Sequence, residues 1–241
     1  MKHHFYVTCI TCLLGITLIL NGCKNYDVTP HYGSKYITAN TGKVTANVPE
    51  AYELGWVVLA LTDVAQRDTG LIDVNTSYYK DFTAHFNKFK NHQAVVQLNT
   101  LASSPKMLEK FRNGLFAFGI YRGRFALNEN YRIDNSKVEF KRYARLLEDF
   151  YSDSNFKQFY ASHQDTYKQM IQKANTNLSF DGVQKALNKN VKSYHVILSP
   201  LMKGLPGVMD IKDTDFSESV IFPYLSPNGL VYGKASTDII K

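Results

Sequence analysis

The hydrophobic and polar positions of this chain change period several times, and each change marks an element. Val48-Pro49 opens the first clear run. Proline suits the first turn of a helix, and Glu50 and Glu53 sit favourably at its positive end. From Tyr52 to Ala65 the run is apolar on nearly every side, the pattern of a helix at the centre of a core. Asp68 to Asn75 interrupts it, and Asp73 or Asn75 is placed to cap the next helix. There Tyr78, Phe82, Phe86 and Phe89 recur at helical spacing, a stripe that reads as core packing before it reads as a ligand box. Ser104-Pro105 opens a further helix through Phe111.

The period then shortens to two. Phe116, Phe118 and Ile120 alternate with other residues, Arg122-Gly123 supplies a turn, and Phe125 and Leu127 resume, which predicts a β-hairpin over 116–127. Ser136 and Glu139 form a capping box for a helix through about Phe150. Ser154 or Asn155 caps the clearest helix of the chain, with Phe156, Phe159, Tyr160, Tyr167, Met170, Ile171 and Ala174 on one stripe. A smaller helix carries Phe180, Val183, Leu187 and Val191. Two strands follow, Tyr194–Leu198 and Ser219–Phe222, separated by a glycine-rich loop, Gly204-Leu205-Pro206-Gly207. The predicted fold is a mostly helical α+β domain over 49–241.

The N-terminal segment has a different character. Lys2 is followed by an uncharged apolar run from Phe5 to Leu20, and Leu20-Asn21-Gly22-Cys23 closes it. A basic start, a short apolar run and a small residue before a cysteine read as a lipoprotein signal peptide over 1–22, with Cys23 as the lipidation site. The run is shorter than the roughly 20 apolar residues that span a bilayer as a helix. The expected location is the cell envelope, outer membrane first, with the chain held to the membrane by the lipid on Cys23. Cys9 and Cys12 lie inside the removed peptide, so their Cys-x-x-Cys spacing carries no redox or metal meaning. Residues 23–48 lack a sustained apolar period and read as a tether, with a short strand conceivable at Tyr36-Ile37.

Charge adds little. The chain carries +7, or +6 without Lys2. Its Lys and Arg are dispersed over solvated helix faces, so nucleic acid is not an expected partner. A peptide or protein partner remains open.

Candidate chemistry is sparse. No His-Glu-x-x-His is present, and His85 and His92 stand about 10 Å apart along a helix, too far to share an ion. His163 reads as a satisfied core histidine. Asp213-Thr214-Asp215, with Asp210 and Glu218 nearby, resembles part of a calcium loop but lacks its glycine and its ligand spacing. Ser103 and Lys106 match Ser-x-x-Lys without the companion motifs, and Ser104-Pro105 is explained more simply as a helix start. No catalytic residue, metal ligand or cofactor is assigned.

Several segments together resemble a family of Gram-negative lipoproteins described only as a domain of unknown function. They are Val48 to Leu54, Ala60-Leu61-Thr62-Asp63, Tyr79-Lys80-Asp81, Phe89-Lys90-Asn91-His92, Tyr194 to Pro200 and Glu218 to Phe222. Such proteins look zincin-like, so the resemblance implies a zinc-metallopeptidase relative. The helix that bears metal ligands in that architecture is expected where this chain stops, which implies an inactive relative. On this reading Tyr194–Leu198 or Ser219–Phe222 lies at a sheet edge, where it could pair with an extended peptide, and the Gly204–Gly207 loop is mobile. The other reading is a non-enzymatic envelope lipoprotein that binds a protein or a glycan.

Overall fold

The computed structural model describes residues 27–68, 70–102, 104–133, 140–176, 178–235 and 237–240. The signal peptide, Cys23 and the Ser136–Glu139 capping box lie outside them.

The chain opens with β1 (Val28–Pro30), α1 (Ser34–Asn40) and β2 (Lys43–Asn47). A helical block follows: α2 (Glu50–Ala60), α3 (Asp63–Arg67), α4 (Ser77–Phe86), α5 (Gln93–Leu101) and α6 (Pro105–Phe116). Next come the hairpin β3 (Phe118–Tyr121) and β4 (Arg124–Leu127), then β5 (Tyr131–Ile133). Four more helices, α7 (Phe140–Asp153), α8 (Phe156–Ser162), α9 (Gln164–Asn175) and α10 (Phe180–Leu187), lead to β6 (Ser193–Ile197), β7 (Gly207–Lys212) and β8 (Ser217–Phe222). A small meander of β9 (Tyr224–Ser226), β10 (Gly229–Val231) and β11 (Ile239–Ile240) ends the described part. The fold is α+β, and among the described residues no helix is long and apolar enough to cross a membrane.

The predicted central helix is α2, in which every residue from Ala51 to Ala60 is buried. It approaches α6 so closely that a methyl group at Gly55 would collide with Leu115. The apolar run to Ala65 is not one helix. Thr62 donates to the Leu59 carbonyl at 2.6 Å and accepts from the Ala65 amide at 3.2 Å, ending α2 and capping α3. Tyr78, Phe82 and Phe86 of α4 are buried as the stripe predicts, with Thr76 as the cap. Ser104 caps α6 with Pro105 in its first turn, and the helix runs on to Phe116. The hairpin turns on Arg122 and Gly123, both at positive φ, the conformation a two-residue hairpin needs.

The long helix expected from Phe156 to Ala174 is broken at His163 into α8 and α9. The His163 ring nitrogen and the Ser162 hydroxyl both turn back onto the Phe159 carbonyl, at 2.8 Å each. Side chains thus occupy a carbonyl that the helix would use, and the His163 amide bonds Tyr160 instead.

The largest correction concerns 23–48. From Val28 onward this segment is part of the fold, not a tether. β1 pairs with β5, and β2 is an outer strand of the main sheet. That sheet has the order β2–β6–β8–β7, parallel except for β7. Both strands proposed as a sheet edge, 194–198 and 219–222, are interior, with a neighbour on each side. The Gly204–Gly207 loop is tied down as well. Gly204 donates to the Leu71 carbonyl at 3.0 Å, and the buried Arg112 donates to the Leu205 carbonyl at 2.6 Å.

Candidate functional site

Register decides which side chains meet. Ser193 lies beside Glu218, and Thr45 beside His195, with His195 beside Val220. Paired residues of neighbouring strands share a face, so Thr45, Ser193, His195 and Glu218 come together on one side of the sheet. The other side carries Tyr194, which packs on Phe180 of α10, and Ser219, which donates to Asp210 at 2.7 Å. Lys189 holds Asp210 through both carboxylate oxygens, at 2.8 and 2.7 Å. The acidic group that resembled a calcium loop is therefore dispersed: Glu218 and Asp210 point to opposite faces, and Asp213 and Asp215 lie exposed in the β7–β8 turn.

Glu218 has no solvent exposure. Its Oε2 accepts from Tyr36 at 2.8 Å and faces His195 Nε2 at 3.1 Å, while Oε1 accepts from Tyr131 at 2.8 Å. The Tyr36 and Tyr131 hydroxyls are themselves 2.6 Å apart. Two phenolic protons therefore serve three oxygen pairs, which leaves one pair without a proton from the tyrosines. His195 Nδ1 lies 3.0 Å from the Thr45 hydroxyl, so a hydroxyl bonds one ring nitrogen and the carboxyl group faces the other. The Ser193 hydroxyl, 3.2 Å away, also sits on Nε2, so no serine relay through the imidazole is set up. Burial, with the Glu218 charge second, holds Tyr36 and Tyr131 well above the usual phenol range. Both are donors here, not bases.

Tyr32 stacks flat on Tyr36, with ring centroids 5.2 Å apart. Its buried hydroxyl has no hydrogen-bond partner among the described residues. Phe216 packs edge-on against both rings.

Above this cluster opens a cleft of about 560 Å³, lined by His31, Tyr32, Lys35, Tyr36, Asn130 and Arg132, among others. The volume is that of a small-ligand site. Tyr36 is the link, because it lines the cleft and its hydroxyl enters the Glu218 network. The Arg132 guanidinium donates to the Tyr131 carbonyl at 2.7 Å and the Glu129 carbonyl at 3.2 Å, and its other nitrogen lies 3.1 Å from His31. A second hollow, of about 350 Å³, lies between α2 and α4, with Leu61, Ile72, Val74 and Phe82 in its walls.

No known protein family, curated protein or solved structure matches the chain.

The histidines considered from sequence are scattered. His85 bonds the Ser154 carbonyl at 2.8 Å, His92 caps α5 and meets Asp153 at 3.3 Å, and His163 meets Asp81 at 3.3 Å. Among the described residues no three His, Cys, Asp or Glu side chains converge to hold a metal ion. Ser104 serves as a helix cap, accepting from Met107. Sequence reasoning placed His195 in a strand and Glu218 beside a loop without connecting them. The available signal was a polar residue on the inward face of apolar strands, Ser193-x-His195 in one and Glu218 in the other.

Proposed function

We propose that this chain is a lipid-anchored envelope protein that binds a carbohydrate in the cleft between α1 and β5. One observation carries the reading: the cleft wall is made of tyrosine and planar polar side chains, with Tyr36 held in place from behind by Glu218, Tyr131 and His195. Sugar hydroxyls need paired donors and acceptors at fixed positions, and Asn130, Glu129 and Arg132 supply them. Among the described residues no Leu, Ile, Val, Met or Phe side chain lines the cleft. The two strands expected to extend a peptide, β6 and β8, are interior.

Lipidation at Cys23 supports an envelope role, and the folding of 28–47 sharpens it. Three residues, Lys24 to Tyr26, separate Cys23 from Asp27. Four steps of chain reach about 14 Å at most, so an anchored molecule sits close against its membrane.

Ala39 lines the cleft from the exposed side of α1. Ala39→Trp fills the cleft and replaces no member of the Glu218 cluster. Binding to envelope polysaccharide, measured with immobilised glycans, is expected to be lost in Ala39→Trp while thermal stability is kept. Equal binding by parent and variant would place the ligand elsewhere. Separately, Cys23→Ala is expected to move the protein from membrane to soluble fractions; retention on the membrane overturns the anchor.

A further inference from the structure

The cleft lining carries two cations, Lys35 and Arg132, and one carboxylate, Glu129. Lys35 and Arg132 are both in its lining, and among the described residues no carboxylate pairs with either. Arg132 is no freely moving surface cation. Two carbonyls of its own neighbourhood and the His31 ring fix the plane of its guanidinium, and these partners leave its charge uncancelled. His31 Nδ1 lies between the Glu129 carbonyl at 3.0 Å and Arg132, so it serves one of them at a time. Asn130 and Glu129 supply the complementary chemistry, an amide and a carboxylate that suit hydroxyl groups.

From this arrangement we propose that the ligand is an acidic sugar, whose carboxylate is held by Lys35 and Arg132 while its hydroxyls meet Asn130 and Glu129. The proposal rests on the carbohydrate reading above and narrows it. A planar guanidinium held in advance matches a carboxylate through two parallel hydrogen bonds, and a nearby ammonium adds a point charge. A bare inorganic anion would leave Glu129 and Asn130 without a role. An acidic ring with hydroxyls gives Lys35, Arg132, Asn130 and Glu129 a partner each.

The test compares oligogalacturonate with the same oligomers methyl-esterified, which differ in charge and hardly in shape. The protein is the chain from residue 23 onward with Cys23→Ser, which contains every described residue, and the readout is isothermal titration at two salt concentrations. The acidic oligomer is expected to bind at least about tenfold more tightly than the ester, with the gap closing at high salt. Lys35→Gln with Arg132→Gln should remove most of that gap, with the far-ultraviolet circular dichroism unchanged because both side chains are exposed. Equal affinity for acid and ester overturns the acidic-ligand proposal but leaves the carbohydrate reading standing. Absence of binding to either oligomer, in a protein that still binds phosphatidylglycerol vesicles and not phosphatidylcholine ones, overturns both and makes the cleft a membrane contact. Binding of neither oligomers nor vesicles also overturns both.

Discussion

Two glutamates in this protein are equally shut away from water, and they are treated in opposite ways. Glu218, in the sheet, has partners on both oxygens: Tyr36 and His195 on one, Tyr131 on the other. Glu53, in the first turn of α2, has one. Tyr78 donates to its Oε1 at 2.7 Å, and Oε2 has no hydrogen-bond partner among the described residues. Tyr78 in turn meets Tyr167 at 2.8 Å, so each carboxyl group heads a tyrosine pair. The difference lies in what stands behind. Glu218 backs the wall of an open cleft, where a fixed hydroxyl has a use. Glu53 is enclosed by helices, and burial pushes its carboxyl up to about 7, against the smaller downward pull of Ser199 and Tyr78. A fully partnered buried carboxyl group organises its surroundings; a half-partnered one becomes sensitive to pH.

The sharpest way to break the comparison is to remove the organised group. Glu218→Ala leaves Tyr36, Tyr131 and His195 around a void, and breaking such a buried polar set costs roughly 3–5 kcal/mol. Urea unfolding of the variant is expected to show a loss in that range. Glu218→Gln, which brings an N–H to the cluster and keeps a carbonyl, is expected to lose far less. Equal losses for both substitutions would mean that the hydrogen-bond count around Glu218 does not matter.

The next effect belongs to Glu53 and has a definite sign. Its folded value, about 7, lies above its ordinary 4.5, so the folded state holds the proton more tightly than the unfolded one. Its contribution is therefore intact at low pH and is lost as pH rises through the interval from 4.5 to about 7. At about 1.4 kcal/mol for each factor of ten, the loss amounts to about 3 kcal/mol. Glu53→Gln cannot ionise, so the difference in stability between variant and parent should move in the variant's favour by about that amount between about pH 4 and pH 8. A difference that stays constant over this range would show that the orphaned oxygen is satisfied in solution.

How much of this contrast was legible in the sequence depends on what each part needed. The aromatic stripe of α4 and the Arg122-Gly123 turn depend on local spacing, and they could be read directly. The interrupted helix at His163 could not, because its cause is a pair of side chains folding back on one carbonyl. The segment before Val48 was misread for a related reason. β2 is a five-residue strand of Lys, Val, Thr, Ala and Asn, and its inward Thr45 is polar because it faces His195. Tyr32 and Tyr36 flank the start of a helix of seven residues, too short to show a period. The cluster draws on α1, β2, β5, β6 and β8, so it required a strand order and a register that no single segment contains. Glu53 was read correctly as a helix-start acid, and its burial followed only once α2 proved enclosed on all sides.

The smallest effect is also the finest discriminator, because the same substitution is made in both clusters. Tyr78→Phe takes away the donor that Glu53 Oε1 has in the folded state, leaving the carboxyl group more poorly solvated. The expected cost is about 1–2 kcal/mol at neutral pH, with the Glu53 carboxyl pushed higher still, since a group that pulled it down is gone. Tyr36→Phe removes a hydroxyl from a set in which two protons serve three oxygen pairs. With that hydroxyl gone, Tyr131 donates to Oε1 and His195 still faces Oε2, so the shortage of protons disappears along with one bond. Its expected cost is therefore below about 1 kcal/mol, less than a normal buried hydrogen bond. Thermal and urea unfolding of the two variants, each against the parent at one neutral pH, rank them directly. If Tyr36→Phe costs as much as Tyr78→Phe, the Glu218 cluster is no better supplied with partners than Glu53, and the contrast between the two sites fails.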